Sequence, residues 1–347
     1  MRPFLYALFL SFLAQALVQC GHTVEDPNQL FSIKVVPKKT TYVLGDTLTY
    51  ELITKTQRKA TAVSWVFDGV SVDEQPQALA DTKLGKHTVT AIITTPDGSV
   101  KVSDQVLIVA AAPPKLYTYK ILERYTHDIK AYTQGLEFYQ DTLYEGTGQY
   151  GSSSLRQLDL KRGKVLQQNT LDNQYFGEGI TILNNKIYQL TWRSNTGLVY
   201  DLASFELIDQ FQYDQSRQGW GLCNDGDYLY KSDGTEKIWR LDPVTYKELD
   251  YIEVYTDKLV IDQINELEWV NGKIYANIYQ KDAVAIVDPK TGAVEGVINL
   301  KGLQKEVTQH AALDVLNGIA YDGSFEILYI TGKNWDVLFK VQVIEKQ

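Results

Sequence analysis

The chain has 347 residues, 44% of them hydrophobic and 22% charged, with 23 tyrosines and a formal net charge of -9 at a pI near 5.1. Such a composition suits a folded chain with a sizeable core rich in pleated sheet. It supplies no Lys/Arg cluster to neutralise phosphates, which argues against nucleic acid as a partner.

Arg2 and the apolar run from Phe4 to Val18 open the chain. The run is short for a bilayer span and the right length for a signal-peptide core, so residues 1–20 are expected to direct export. It ends in Leu17-Val18-Gln19-Cys20-Gly21, which resembles the lipidation box of bacterial lipoproteins, with Gln19 bulkier than the small residue usual there. The expectation is lipidation at Cys20 and an exported protein anchored to a bacterial membrane, periplasmic or at the cell surface. A soluble secreted protein is the alternative. Several acyl chains anchor stably where one binds reversibly. With Cys20 acylated, the one other cysteine, Cys223, has no disulfide partner.

Residues 21–30 read as a polar tether. From 31 to 110 the pattern alternates, with Leu48, Tyr50 and Leu52 on one face, then Val63, Trp65 and Phe67, then Val89, Ala91 and Ile93 before the turn Pro96-Asp97-Gly98. Short strands with turn signals at this spacing predict a small immunoglobulin-like β-sandwich with Trp65 in its core. The segments Trp65–Gly69 and Leu84–Val89 also resemble polycystic-kidney-disease-type sandwich domains. The Ala/Pro stretch at 111–115 breaks strand pairing and is taken as a linker. A strand from Leu116 to Tyr125 is expected to pair with the end of the chain and close a ring.

Residues 116–345 repeat. Gly135, Gly179, Gly221, Leu267 and Gly318 mark segment starts at intervals of about 44, 42, 46 and 51 residues, in the range of β-propeller repeats. The predicted fold class is therefore all-β, a five-bladed β-propeller preceded by the sandwich.

Four histidines, His22, His87, His127 and His310, lie scattered without metal-ligand spacing. No phosphate-binding glycine loop and no nucleophile elbow occurs. Asp233, Asp242 and Asp288 sit where turns need side-chain acceptors. The starts and ends of the innermost propeller strands are different, because residues there converge on one mouth from distant parts of the sequence. Tyr132, Gln134, Phe176, Glu178, Trp192, Trp220, Asn265, Tyr279 and Lys333 would together make an aromatic cup holding one acid, amides and one cation.

The strings Tyr132-Thr-Gln-Gly-Leu-Glu-Phe138, Tyr144-Glu-Gly-Thr-Gly-Gln-Tyr-Gly-Ser-Ser-Ser-Leu-Arg156, Phe176-Gly-Glu-Gly179, Gly219-Trp-Gly-Leu222, Ile264-Asn-Glu-Leu-Glu-Trp269, Leu316-Asn-Gly-Ile-Ala320 and Thr331-Gly-Lys333 occur in this order. With them, residues 116–341 resemble the glutamine cyclotransferase family. The resemblance implies a five-bladed propeller that converts N-terminal glutamine of peptides or proteins into pyroglutamate with release of ammonia. It implies Glu178 as proton shuttle, and Asn265 and Lys333 as donors to the developing oxyanion. It implies Gln134 as an orienting amide, and Tyr132, Phe176, Trp192, Trp220 and Tyr279 as the wall that folds the substrate side chain. Trp220 is expected to offer its indole N–H to the substrate. The family often has tryptophan where this chain has Tyr279.

No cofactor and no catalytic metal is expected, although a structural cation in the propeller channel is compatible with the resemblance. A monomer is expected. The alternative function is a non-catalytic propeller lipoprotein that binds a protein or glycan partner.

Overall fold

A computed structural model describes residues 26–80 and 82–346. The export segment and Cys20 lie outside the described residues. Among the described residues the chain is all-β, with helical turns only at Pro27–Leu30 and Leu303–Glu306. The first of these falls inside the expected tether. Asp26 caps it by accepting from the Asn28 amide at 3.0 Å, Pro27 suits its first turn, and Leu30 buries beside Phe31, Ala91 and Ile93.

The N-terminal strands form two sheets over shared cores. Phe31–Val36, Thr47–Thr54 and Gln77–Ala78 make one; Tyr42–Val43, Gly98–Val109, Gly85–Thr95, Ala62–Phe67 and Val70–Val72 make the other, in that spatial order. Along Gly85–Thr95 every second residue is buried, from His87 through Val89, Ala91 and Ile93, because one face of the pleat meets the opposing sheet. Trp65 packs at the edge of this core, half-buried, against Tyr50.

The remainder is built of antiparallel four-stranded meanders. The first comprises Thr133–Tyr139, Thr142–Thr147, Ser154–Asp159 and Lys164–Thr170. The second comprises Gly177–Leu183, Lys186–Thr191, Thr196–Asp201 and Leu207–Gln212. The third comprises Leu222–Asn224, Leu229–Ser232, Lys237–Leu241 and Glu248–Glu253. The fourth, Ile264–Val270 to Val294–Asn299, belongs to an eight-stranded sheet with Lys115–Thr126 and the C-terminal strands Leu316–Ala320, Ile327–Gly332 and Val337–Glu345. Lys115–Thr126 pairs antiparallel with Val337–Glu345 and, through its first residues, parallel with Val294–Asn299.

The first strand of each meander touches the next, and Leu316–Ala320 returns to Thr133–Tyr139, so these strands ring a common axis. Gly177–Leu183 is buried at every position, as a strand packed on both faces must be. Glycine permits the close approach. A Cβ on Gly179 would lie 2.6 Å from the Leu222 nitrogen, and one on Gly221 would lie 2.0 Å from the Asn265 carbonyl oxygen. Ser232 stitches the same joint, its hydroxyl accepting from the Gly221 amide and donating to the Asn265 carbonyl, both at 2.7 Å.

The Gly221→Ala variant must therefore separate two backbones. It is expected to lose about 1–3 kcal/mol of stability, as overpacked cores do, read as a lower midpoint of urea unfolding. An unchanged midpoint would mean that these strands have room to part.

Candidate active site

The polar groups of the pocket come from one recurring irregularity. In the first strand of the first meander the register shifts between Thr133 and Gly135; in the second it shifts between Gly177 and Ile180. It shifts between Ile264 and Leu267 in the fourth, and between Leu316 and Ile319 in the C-terminal strands. A bulge leaves residues outside the ladder and re-aims their side chains. The residues so released include Gln134, Glu178, Asn265 and Asn317. The aromatic groups and the cation sit at the matching ends of second strands or just before first strands. Trp192 follows Lys186–Thr191, Tyr279 follows Lys273–Ile278 and Lys333 follows Ile327–Gly332, while Tyr132, Phe176 and Trp220 precede first strands. Backbone bonds tie these ends together: Trp192 donates to the Phe176 carbonyl at 3.0 Å and Tyr279 to that of Gln263 at 2.9 Å.

All nine side chains singled out from the sequence line one cavity of about 200 Å³, and Gln149 joins them. The walls are aromatic. Tyr132 meets Phe176 edge-on at 6.0 Å between centroids, Phe176 meets Trp192 at 5.5 Å, and Trp220 meets Tyr279 edge-on at 5.6 Å. Such offset and edge contacts fix ring orientation as well as burying area.

Lys333 is 3% exposed, and its ammonium lies 4.9 Å from the Tyr132 ring centroid and 5.3 Å from that of Tyr279. Among the described residues it has no ion-pair partner within 4.0 Å and no side-chain hydrogen bond. Two ring faces therefore hold a cation whose three donors remain available. Glu178 is also 3% exposed, and its carboxyl has no hydrogen-bond partner among the described residues. Burial pushes its pKa well above the ordinary 4.5, against the opposing pull of the Lys333 charge. Burial pushes the Lys333 pKa down, opposed by the charges of Glu178 and Asp314. Desolvation thus drives both groups toward their neutral forms.

The other polar groups divide by role. Asn317 donates its amide to the Thr133 carbonyl at 3.0 Å and to Gln134 Oε1 at 3.2 Å. A backbone carbonyl only accepts, so this pair orients Gln134 with its NH₂ turned away from Asn317. Asn265 Oδ1 is buried without a partner. The pocket can therefore hold a small polar side chain between rings, donate hydrogen bonds to an oxygen, and exchange a proton with a buried carboxyl.

A family profile described as glutamine cyclotransferase matches residues 91–343. A glutaminyl-peptide cyclotransferase of Arabidopsis thaliana is 40% identical over 227 residues, which is 65% of this chain and 71% of the relative. The crystal structure of Myxococcus xanthus glutaminyl cyclase superposes with a TM-score of 0.63 at 32% identity, covering 67% of this chain and all of that one. The chain belongs to the glutamine cyclotransferase family.

In this cyclotransferase-family chain three residues of the site escaped the sequence reading. Gln149 lines the pocket from a left-handed backbone at φ 98°; it stands in the motif string, but nothing in the string marks it as facing the cavity. Asp314 accepts from the Tyr132 hydroxyl at 2.8 Å and places a second negative charge near Lys333. Gln218 accepts from the indoles of both Trp192 and Trp220, at 2.8 and 2.9 Å. The Trp220 N–H, expected to point at substrate, is thus engaged within the wall.

Burial of Glu178 has a consequence for stability. Below pH 4.5 the folded and unfolded chains both carry the protonated carboxyl. Above it the unfolded chain releases the proton and the folded chain retains it, so folding is progressively penalised until the pH passes the raised folded value. The Glu178→Gln variant has no such proton. It is expected to melt above the unsubstituted protein at pH 7 and to match it at pH 4, in thermal scans across that range. A variant that melts lower at pH 7 would mean that the carboxylate is stabilised by its surroundings.

Proposed function

We propose that this chain is a glutaminyl-peptide cyclotransferase, converting an N-terminal glutamine of a peptide or protein into pyroglutamate and ammonia. The observation that carries the reading is the buried Glu178 carboxyl with a raised pKa beside an available ammonium, in a cup the size of one side chain. The neutral α-amine attacks the carbon of the γ-amide, forming the C–N bond of the lactam. Glu178 as carboxylate takes a proton from that nitrogen and, as the acid, delivers it to the departing amide nitrogen. The C–NH₂ bond then breaks, ammonia leaves, and Glu178 returns to its starting state. Lys333, Asn265 and the Gln134 NH₂ stabilise the negative charge on the amide oxygen while the tetrahedral intermediate exists. The rings of Tyr132, Phe176, Trp192, Trp220 and Tyr279 hold the side chain in its ring-closing rotamer.

The fold reading goes with it. The four-stranded units, with Lys115–Thr126 as outer strand of the last, are read as blades of a five-bladed propeller, and residues 31–110 as an immunoglobulin-like sandwich docked on its side. Peptides with N-terminal glutamine are the substrates, and the working form is a monomer held to a bacterial membrane through acylated Cys20.

A Gln-initiated peptide incubated with the protein should release ammonia with the matching loss of mass. Loss of a positioned acid–base group costs about 10²–10⁴-fold, and kcat of Glu178→Gln should fall by that amount with the fold retained. Near-normal turnover in a folded variant removes Glu178 from the mechanism, and a folded parent that is silent on several such peptides removes the activity. Separately, Cys20→Ser should move the protein from the membrane fraction to the soluble one at unchanged specific activity. Unaltered fractionation would sink the lipid anchor.

A further inference from the structure

Trp192 and Trp220 enter the pocket from different meanders, yet their indole N–H groups converge on one atom, Gln218 Oε1. An indole N–H only donates, so the amide oxygen must lie between the rings and the amide nitrogen must turn away from them. The remaining contacts hold each ring separately. Arg193 stacks over Trp192 at 3.8 Å, and Phe176 packs against the same ring. Tyr279 meets Trp220 edge-on, and the backbone at Gly234 comes so close that a Cβ there would lie 2.5 Å from the Trp220 ring. Gln218 contacts both, and through it the two rings hold a fixed relation to each other.

We propose that Gln218 is a positioning residue for the reaction. By accepting from both indoles it locks the two rings as one wall, and it withdraws two strong donors from the ligand. The wall then offers ring faces to the methylenes of the glutamine side chain. The amide oxygen finds its hydrogen bonds only on the side of Lys333, Asn265 and Gln134, where charge develops. Free indole donors would instead bind the same oxygen in a pose that leaves the carbonyl carbon out of reach of the amine. This inference rests on the cyclotransferase reading.

The test compares Gln218→Met, which removes the acceptor, with Gln218→Glu, which keeps it. Misplacement of a bound substrate costs rate more than affinity, so Gln218→Met is expected to lose about tenfold or more in kcat with KM changed by less than about threefold. Gln218→Glu should return kcat to within about threefold of the unsubstituted protein, since a carboxylate oxygen accepts both N–H groups. Protein labelled with ¹⁵N-tryptophan reports the geometry independently of turnover: two indole protons should lose exchange protection in Gln218→Met and keep it in Gln218→Glu. If Gln218→Met does not fold, Gln218→Asn, too short to span both indoles, takes its place with the same readouts. Unchanged kcat in a variant that has lost indole protection overturns the proposal, as does a Gln218→Glu variant as slow as Gln218→Met. An unsubstituted protein that protects both indoles and releases no ammonia refutes the cyclotransferase reading instead, and this inference with it.

Discussion

The site depends on the point where each innermost strand leaves its ladder. A regular strand alternates its side chains between two faces, and with both faces packed against neighbouring meanders no side chain would be free to face the axis. The bulges at Gln134, Glu178, Asn265 and Asn317 break that rule at the same height in four strands. They release polar side chains where the strands are closest. The closeness itself requires glycine at Gly135, Gly179 and Gly221, where a Cβ would lie 2.4, 2.6 and 2.0 Å from a neighbouring backbone atom, while Gly318 is required by its positive φ of 115°. Function and packing thus share one device, and a substitution at any of these glycines would move a functional group along with the core.

The electrostatics follow from how little water this arrangement admits. For Glu178 desolvation outweighs the attraction of Lys333, and for Lys333 it outweighs two carboxylates. Two opposite charges 4 Å apart attract by about 4 kcal/mol at an effective dielectric near 20, and removing each ion from water costs several kcal/mol. A tight ion pair would recover much of that cost, but the ammonium is held by the faces of Tyr132 and Tyr279 without a contact ion pair. Its neighbours therefore leave it available, and they leave the carboxyl able to change protonation without breaking a salt bridge. Asp314 adds to this balance from outside the cavity. By accepting from the Tyr132 hydroxyl it fixes the ring on which the ammonium rests, and its charge offsets part of the desolvation of Lys333.

Much of the site was legible because its chemistry resides in large or charged side chains at punctuated positions. Rings at Phe176 and Trp220 beside glycines mark strand ends in the sequence, and the single carboxylate among them, Glu178, stands out. The repeat spacing located the strands that bring them together. Gln218 and Asp314 were not legible, because each acts through another residue's hydrogen and nothing in the local pattern separates them from loop residues elsewhere. The bulges were hidden for a related reason: each inserts a single extra residue into one strand of a pair, and only the partner strand shows where the count departs. The helical turn at Pro27–Leu30 was obscured by its polar neighbours, although Asp26-Pro27 is a start signal, and only the burial of Leu30 reveals that the turn packs against the N-terminal sheets.

The N-terminal sheets bear on the site only at a distance. Lys83 donates to the Tyr251 carbonyl at 2.8 Å, the Leu84 amide donates to the Thr291 carbonyl at 2.8 Å, and Tyr255 joins the N-terminal core. These partners belong to the outer strand of the third meander and to the turn and loop that border the outer strand of the fourth. Every pocket residue, by contrast, lies in or beside the first two strands of its meander. The inner strands therefore carry the chemistry while the outer strands carry the docking, and the two are linked only through the intervening ladders. On the proposed reading, the docked sheets set where the protein is held and how far the pocket stands from its anchor, while ring closure is governed by the axis alone.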